Sequence, residues 1–174
     1  MKAGTPQVGS RHVSTEPMRR RHLAAVMRIE RRAHPKPWSL GVFTSELAQG
    51  DARFYLVLKV DGKVAGYGGL MFAADEAHVT NIAIAPSLRR QSLGSHLLAE
   101  LAREGVRRHC TAMTLEVRMG NSAAQDLYRK FGFVVAGVRR NYYPETGEDA
   151  YIMWLHELLS PEVQAHLKAL DEPL

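Results

Sequence analysis

The chain has 174 residues, a length that fits one domain with a sizeable hydrophobic core. No apolar stretch is long enough to span a membrane and no secretory signal is evident near the N-terminus, so we expect a cytoplasmic protein without a membrane partner. The single cysteine excludes an internal disulfide, and the eight histidines show no metal-ligand spacing, so we expect no metal site.

The chain is basic, with a net charge of +5 and a pI near 9.6. Such a charge suits an anionic partner, which could be RNA, a membrane surface or a phosphorylated cofactor. Arginines cluster at residues 19–21, 89–90, 107–108 and 139–140, without the interleaved aromatic residues of an RNA-binding signature. We interpret most of them as solvated surface charges and expect that no direct nucleic-acid binding is required.

The first third of the chain predicts one strand and two helices. A short strand at residues 12–18 precedes a helix at about residues 20–33, where apolar side chains share one face. Ser39 is a suitable N-cap for the second helix, and Gly50 is placed to end it.

A meander of three strands follows. Asp61 and Gly62 form a strong hairpin turn signal between strands at residues 54–60 and 64–72. A third strand is predicted at residues 77–84.

The second half of the chain alternates helices and strands. Ser122 and Gln125 form a capping-box pair that opens a helix, and Gly132 is placed to end that helix. The other elements predicted here are a helix at residues 93–109, strands at residues 113–117, 133–143 and 150–156, and a short amphipathic helix from residue 160.

This order of elements predicts an α/β (α+β) fold with a mixed sheet and helices packed on it. We divide the chain into a flexible leader at residues 1–11, a domain at residues 12–156 and a C-terminal tail at residues 157–174. Ligands of such sheets favour the carboxyl ends of strands beside a change in strand order. The ends of the strands at residues 77–84 and 113–117 are therefore the predicted binding region.

The loop at residues 89–95 has the features of a phosphate site. It leads into a long helix, whose first backbone N–H groups are unpaired and carry partial positive charge. Arg89 and Arg90 add formal positive charge. An ordinary strand-to-helix turn with solvated arginines remains an alternative on these features alone.

Two short segments around this loop resemble a known motif. NIAIAP at residues 81–86 and RRQSLGSHLL at residues 89–98 resemble the acetyl-CoA-binding motif of the GNAT family, whose loop reads Q/R-x-x-G-x-G/A. Arg89 fills the first position and Gly94 the last, but Ser92 stands where the family usually has glycine. Glycine there permits positive φ, which serine tolerates less well.

Three longer segments resemble the RimI ribosomal-protein-alanine N-acetyltransferases within this family. They are IERRAHPKPWSLGVF at residues 29–43, TLEVRMGNSAAQDLYRKFGF at residues 114–133 and RRNYYPETGEDAYIM at residues 139–153. The resemblance implies a GNAT acyl-CoA N-acyltransferase fold with a mostly antiparallel sheet, and acetyl-CoA as co-substrate. It also implies a monomer whose partner is a protein N-terminus, in particular the N-terminal alanine of a small-subunit ribosomal protein.

The resemblance assigns catalytic roles to two residues. Glu116 matches the general base, and Tyr128 matches the general acid that protonates the departing thiolate. From the residues alone, the favoured interpretation of Glu116 is a solvent-facing carboxylate and that of Tyr128 a packing tyrosine. Without the resemblance, Asn121 would be interpreted as a helix cap. In the family it matches a residue that forms a hydrogen bond with the pantetheine arm.

The remaining site residues also follow from the resemblance. Coenzyme A would be bound by Ile82, Ala83, Ile84, Arg89, Arg90, Gln91, Ser92, Leu93, Gly94 and Ser95. The acceptor peptide would be bound by Trp38, Tyr142 and Tyr143. For the two tyrosines, aromatic packing at the end of a hairpin remains an alternative.

Three functions are consistent with the sequence. They are acetylation of protein N-termini, acetylation of lysine or a small amine, and a non-catalytic acyl-CoA or ribosome-binding module. Retention of Glu116, Asn121 and Tyr128 together argues against the third. The segments around Trp38 and Tyr142 favour the first.

Overall fold

The computed structural model describes residues 11–171. Except for Arg11, the predicted leader lies outside the described residues. The strands are β1 (Val13–Pro17), β2 (Arg53–Val60), β3 (Lys63–Ala73), β4 (Glu76–Ile84), β5 (Ala112–Arg118), β6 (Val134–Tyr143) and β7 (Glu148–Leu155). The α-helices are α1 (Leu23–Ala33), α2 (Leu40–Leu47), α3 (Leu93–Arg107), α4 (Ser122–Lys130) and α5 (Pro161–Asp171). No helix in this part of the chain is both long and apolar enough to cross a bilayer.

All seven strands form one sheet in the order β1-β2-β3-β4-β5-β7-β6. Neighbouring strands are antiparallel except β4 and β5, which are parallel. The parallel pairing starts at Glu76 with Ala112 and ends at His78 with Thr114. Beyond these residues the facing edges of β4 and β5 have no strand partner within the described chain, so the sheet is split toward the carboxyl ends of both strands. This is the predicted binding region.

The two faces of the sheet bury separate hydrophobic clusters. Alternate residues of β2 show this division, because Leu56 and Leu58 pack with α3 whereas Tyr55 and Val57 pack with α1 and α2. The larger cluster lies on the α3 face. Helices α1 and α2 therefore cover the opposite face.

Side-chain caps and positive φ angles explain several element boundaries. Ser39 Oγ accepts a hydrogen bond of 3.2 Å from Val42 N, which confirms the predicted cap of α2. Asp61 and Gly62 have φ angles of 50° and 79°, as the predicted β2–β3 turn requires. Gly132 has a φ of 97° after α4, which permits the predicted stop.

Two predicted boundaries were wrong. Asn121, not Ser122, caps α4, because Asn121 Oδ1 accepts a hydrogen bond of 3.2 Å from Ala124 N. Gln125 makes no capping box, since its Nε2 donates to the carbonyl oxygens of Arg118 and Met119 at 3.0 and 2.9 Å. Gly50 lies beyond the end of α2, where it begins a short 3₁₀ turn.

The segment after β7 packs against the rest of the molecule. Ser160 Oγ accepts a hydrogen bond of 3.2 Å from Val163 N at the start of α5. Leu158 and Leu167 are buried in the larger cluster. A Cβ added at Gly105 of α3 would lie 3.2 Å from Leu158 Cδ2, so glycine permits close packing here. The predicted tail thus contributes to the core on the α3 face.

Candidate active site

Glu116 lies on β5 beside the split in the sheet. Its neighbours Leu115 and Val117 face the core under α3, so the Glu116 side chain points to the opposite face. Its Oε2 lies 2.6 Å from His78 Nε2, and its Oε1 lies 3.4 Å from Arg139 Nε. His78 comes from β4 and Arg139 from β6. The carboxylate is therefore held between groups from two other strands, and only 9% of its side chain is exposed.

Opposing effects act on the pKa of Glu116. Burial raises the pKa, because a carboxylate loses hydration inside the protein. The hydrogen bond and charge of His78, together with the charge of Arg139, outweigh burial, so the pKa is below its ordinary value. The carboxylate is thus kept ionised, which is the form that accepts a proton.

Tyr128 belongs to α4 and lies in the core on the α3 face. Its side chain is 6% exposed, and its ring centroid lies 5.8 Å from that of Phe133. Burial raises the pKa of the phenol and nearby Tyr143 raises it further, so the phenol keeps its proton. Its hydroxyl makes no hydrogen bond with another residue in 11–171.

Tyr142 and Tyr143 form an aromatic pair at the end of β6. Their ring centroids are 5.1 Å apart and nearly perpendicular. The guanidinium of Arg118 lies 3.8 Å from the centre of the Tyr143 ring, and that of Arg139 lies 5.6 Å from the centre of the Tyr142 ring. Arg139 therefore contacts both Glu116 and the aromatic pair.

Burial has the largest effect on the pKa values of the two tyrosines, and the charge of Glu116 adds to it. Burial raises the pKa of Tyr143 to about 12, with Arg118 opposing the rise and Tyr142 and Glu116 adding to it. Burial and the Glu116 charge raise the pKa of Tyr142. Since Tyr143 also acts on Tyr128, it lies within electrostatic range of both predicted catalytic residues.

Trp38 is positioned by a buried carboxylate. Its backbone N donates a hydrogen bond of 2.8 Å to Glu30 Oε1, and its ring centroid lies 5.3 Å from that of Phe43. Glu30 is 1% exposed and also accepts hydrogen bonds from Tyr67 on β3 and Asn81 on β4. Trp38 thus lies in the α1–α2 layer, and within the described chain no ring contact joins it to Tyr142 or Tyr143.

Two residues of the loop before α3 adopt left-handed backbone. Arg90 and Ser92 both have φ angles of 60°. Ser92 is the N-cap of α3, but its side chain makes no cap hydrogen bond. Gln91 accepts a hydrogen bond of 2.6 Å from Arg11, whereas Arg89 has no ion pair with another residue in 11–171. The loop therefore presents exposed positive charge at the start of α3.

The other loop residues hold this segment against the domain. Leu93, the first residue of α3, is buried in the larger cluster, and a Cβ on Gly94 would lie 3.4 Å from Leu127 of α4. Ser95 is half-buried in the first turn of α3.

The end of β4 has one paired and one unpaired edge. Ile82, Ala83 and Ile84 pair with Gly68, Tyr67 and Gly66 of β3. Their opposite edge faces the split. Asn121 caps α4 through Oδ1, which leaves its Nδ2 available as a donor.

The sequence-based interpretation missed two residues of this region. His78 is separated from Glu116 by 38 positions, and only the parallel β4–β5 pairing brings them together. Glu30 follows buried Val26 at i+4, so a charge on the apolar face of α1 was the available signal. Within residues 11–171 no group of three or more His, Cys, Asp or Glu side chains is arranged to hold a metal ion.

Comparisons with known proteins show the family of this chain. The model of the acetyltransferase (GNAT) family matches residues 23–133. The [ribosomal protein bS18]-alanine N-acetyltransferase of Escherichia coli (strain K12) is 44% identical over 135 residues, covering 76% of this chain and 90% of that protein. The crystal structure of the ribosomal-protein-S18-alanine N-acetyltransferase from Escherichia coli has a TM-score of 0.79 at 39% identity, covering 87% of this chain and 97% of that chain.

A solved structure with a bound ligand has the same fold. It is a GNAT family acetyltransferase from Elizabethkingia anophelis with acetyl-CoA bound, with a TM-score of 0.69 at 15% identity, covering 83% of this chain and 97% of that chain. By the family match and by its identity to the Escherichia coli enzyme, the chain belongs to the GNAT acetyltransferases, in the group of the ribosomal-protein-alanine N-acetyltransferases.

Proposed function

We propose that this protein transfers the acetyl group of acetyl-CoA to the N-terminal alanine of a small-subunit ribosomal protein in the cytoplasm. The observation that carries the proposal is the position of Glu116, an ionised and largely buried carboxylate beside the split between β4 and β5. The names of the related bS18-alanine N-acetyltransferases support the choice of acceptor.

The residues around the split fit acetyl-CoA. The unpaired edge of β4 at Ile82–Ile84 offers backbone groups with which the pantetheine arm can pair like an added strand. Asn121 Nδ2 is available to donate to the same arm. The loop from Arg89 to Ser95 offers arginine charge and the N-terminal amides of α3 to the pyrophosphate. A thioester at the end of this arm would reach the split beside Glu116.

The reaction requires two proton movements. Glu116 takes a proton from the substrate amine, directly or through water, as nitrogen attacks the thioester carbonyl carbon. A carbon–nitrogen bond forms and the carbon–sulfur bond breaks, while a backbone N–H near Ile84 stabilises the oxyanion. Tyr128 gives its proton to the departing sulfur, and solvent carries the proton from Glu116 back to the phenolate. The products are the N-acetylated protein and free coenzyme A.

An α-amine is a better acceptor than lysine for this site. The pKa of an α-amine is about 8 and that of lysine about 10.4, so deprotonating lysine costs about 3 kcal/mol more. Trp38, Tyr142 and Tyr143 would line the entrance for the free chain end. Arg139 links this entrance to the carboxylate, because its Nε lies 3.4 Å from Glu116 Oε1 and its guanidinium lies 5.6 Å from the centre of the Tyr142 ring.

The test uses an alanine-initiated peptide that contains one internal lysine. After incubation with acetyl-CoA, fragmentation mass spectrometry locates the acetyl group, which we expect on the α-amine. The matched control is the same peptide with its N-terminus already acetylated, which should react much more slowly. Predominant acetylation of the lysine would contradict the proposed acceptor, the α-amine. The assignment of acetyltransferase activity would still hold.

A further inference from the structure

The outer surface of the first helical segment carries a cluster of arginines. All five lie on α1, on the 3₁₀ turn at Arg20–His22 that precedes it, or at the N-cap of that turn, and all are exposed: Arg19, Arg20, Arg28, Arg31 and Arg32. We call these five residues the arginine face. It contains no lysine.

These arginines have no acidic partners. None of the five guanidiniums forms an ion pair or hydrogen bond with another residue in 11–171, in contrast to Arg53 and Arg118, which pair with carboxylates. The two nearby carboxylates are engaged elsewhere. Glu16 contacts Lys59 at 2.7 Å and Glu30 is buried. The positive charge of the arginine face is therefore uncompensated.

Part of the arginine face lines a cleft between α1 and α2. The spacing of Arg20, Ala24, Arg28 and Arg31 places them on one side of the helical segment. These residues, together with exposed Leu40 and Thr44 of α2, line a cleft of about 600 Å³. Three of the five arginines thus line one concave surface, together with apolar Leu23, Met27 and Leu40.

The chemistry of the cleft favours phosphate. A guanidinium is always charged, and its planar fork matches the oxygens of a phosphate in two parallel hydrogen bonds. Arginine also pairs with carboxylates, so the arginines by themselves could bind either RNA or an acidic protein. The molecules that surround the substrate decide between these two partners. If the substrate is a ribosomal protein, as proposed above, its surroundings contain RNA.

The arginine face lies on the acceptor side of the molecule. Helices α1 and α2 cover the sheet face to which Glu116 points. Proteins that assemble with RNA are themselves commonly basic, so an uncompensated basic face repels such a substrate and attracts RNA. We infer that the arginine face binds the phosphate backbone of RNA, as a docking surface next to the acceptor entrance. This inference rests on the proposed function and departs from our expectation that most of the clustered arginines, Arg19 and Arg20 among them, are solvated charges.

The test measures binding of a fluorescein-labelled 20-nucleotide oligouridine by fluorescence anisotropy. Saturating acetyl-CoA is present throughout, so that the Arg89 loop is occupied. The variant Arg20→Gln/Arg28→Gln/Arg31→Gln should bind about tenfold or more weakly. The slope of log affinity against log salt concentration should be smaller in magnitude by about 2. Each phosphate contact on a single strand contributes about 0.7 to this slope, and the variant lacks three arginines.

A matched control separates the arginine face from net charge. Lys63→Gln/Arg129→Gln/Lys130→Gln removes the same charge from exposed positions on β3 and α4. It should bind oligouridine nearly as well as the wild type. Equal loss in both variants, or no binding by the wild type at about 0.15 M salt, would overturn the inference.

Two further measurements distinguish the remaining outcomes. A polyglutamate peptide of equal charge should compete poorly, and competition as strong as that of oligouridine would show a surface for acidic proteins instead of RNA. Acetylation of the short alanine-initiated peptide should be unchanged in the Arg20, Arg28 and Arg31 variant. Failure of RNA binding is therefore distinguishable from failure of the proposed catalytic function.

Discussion

Glu116 combines two properties that usually oppose each other in a buried carboxylate. It is shielded from water and yet stays ionised, because His78 and Arg139 supply positive charge from neighbouring strands. In the proposed reaction, shielding would strengthen the interaction of Glu116 with a substrate amine, and ionisation would let the carboxylate accept the proton. Tyr128 has the complementary environment, because burial keeps its phenol protonated, as the proposed transfer of a proton to the leaving thiolate would require.

The first prediction concerns these two side chains. Glu116→Gln and Tyr128→Phe should each lower kcat by about 10²-fold to 10⁴-fold, because each removes a proton-transfer group while nearly keeping its shape. The binding of acetyl-CoA, measured by calorimetry, should change little. Near-normal turnover in both variants would contradict proton transfer by Glu116 and Tyr128 and would indicate that both residues are structural.

The second prediction concerns His78 as a positioning residue. His78→Asn removes the imidazole, whose hydrogen bond and electrostatic effect lower the pKa of Glu116, so that pKa should rise. The depressed pKa means that Glu116 contributes stability above its unfolded-state pKa, and that this stability is lost as pH falls through the folded-state pKa. The variant should therefore lose less stability on acidification.

The pKa of Glu116 can be measured directly by NMR titration of its ¹³C-labelled side-chain carboxyl group. Arg139→Gln provides a comparison and should raise the pKa less than His78→Asn, because the charge of Arg139 has the smaller effect. A Glu116 pKa that is the same in wild type and His78→Asn would contradict the positioning role.

Individual site residues were predictable to different degrees. Glu116 and Tyr128 were found through resemblance, since alternation on β5 only showed that Glu116 leaves the apolar face. The contact of His78 with Glu116 was not predictable from local sequence, because it depends on the pairing of distant strands. The N-cap of α4 could not be assigned from local sequence either, because Asn121 and Ser122 are neighbours and both are residue types that cap helices well.

At the scale of elements, the loop before α3 has an uncommon backbone. Serine at a φ of 60° is disfavoured by roughly 1–2 kcal/mol relative to right-handed conformations. The sequence predicted this conflict correctly, because the family motif has glycine at the position of Ser92. Arg90 shares the same backbone region, which no sequence feature indicated.

The third prediction follows from this loop. Ser92→Gly should keep or tighten acetyl-CoA binding, since glycine adopts positive φ readily and Ser92 makes no cap hydrogen bond that would be lost. Ser92→Ala is the matched control, because it removes the hydroxyl and retains the Cβ. Isothermal calorimetry gives both affinities. A tenfold loss in both variants would show instead that the hydroxyl contacts phosphate.

At the scale of the whole molecule, the order of elements was predictable and their packing was not. Turn signals such as Asp61-Gly62 and the spacing of leucines in α3 predicted element types well. The burial of Leu158 and Leu167 against α3 was not predicted, because the resemblance ended before this segment. The split sheet is likewise a property of strand pairing, which local patterns do not encode.

The fourth prediction concerns the split. Saturating acetyl-CoA should slow hydrogen exchange of backbone amides in β4 after His78 and in the loop at residues 89–95, because the ligand would pair with those groups in the proposed binding mode. Ligand at 100 times its dissociation constant should also add about 2.7 kcal/mol to the free energy of unfolding. Backbone amides that form hydrogen bonds between β2 and β3 serve as the internal control, and their exchange should change little. Unchanged exchange at β4 would contradict strand-like binding.

The unpaired edge of β4 also has a kinetic consequence. An added strand would be formed by the pantetheine arm, which is identical in acetyl-CoA and in coenzyme A. Coenzyme A should therefore keep nearly all of its hydrogen bonds with the β4 backbone after the acetyl group has been transferred. Turnover would then be limited by product release, and free coenzyme A would inhibit the enzyme in competition with acetyl-CoA, which links the rate of acetylation to the ratio of the two in the cell.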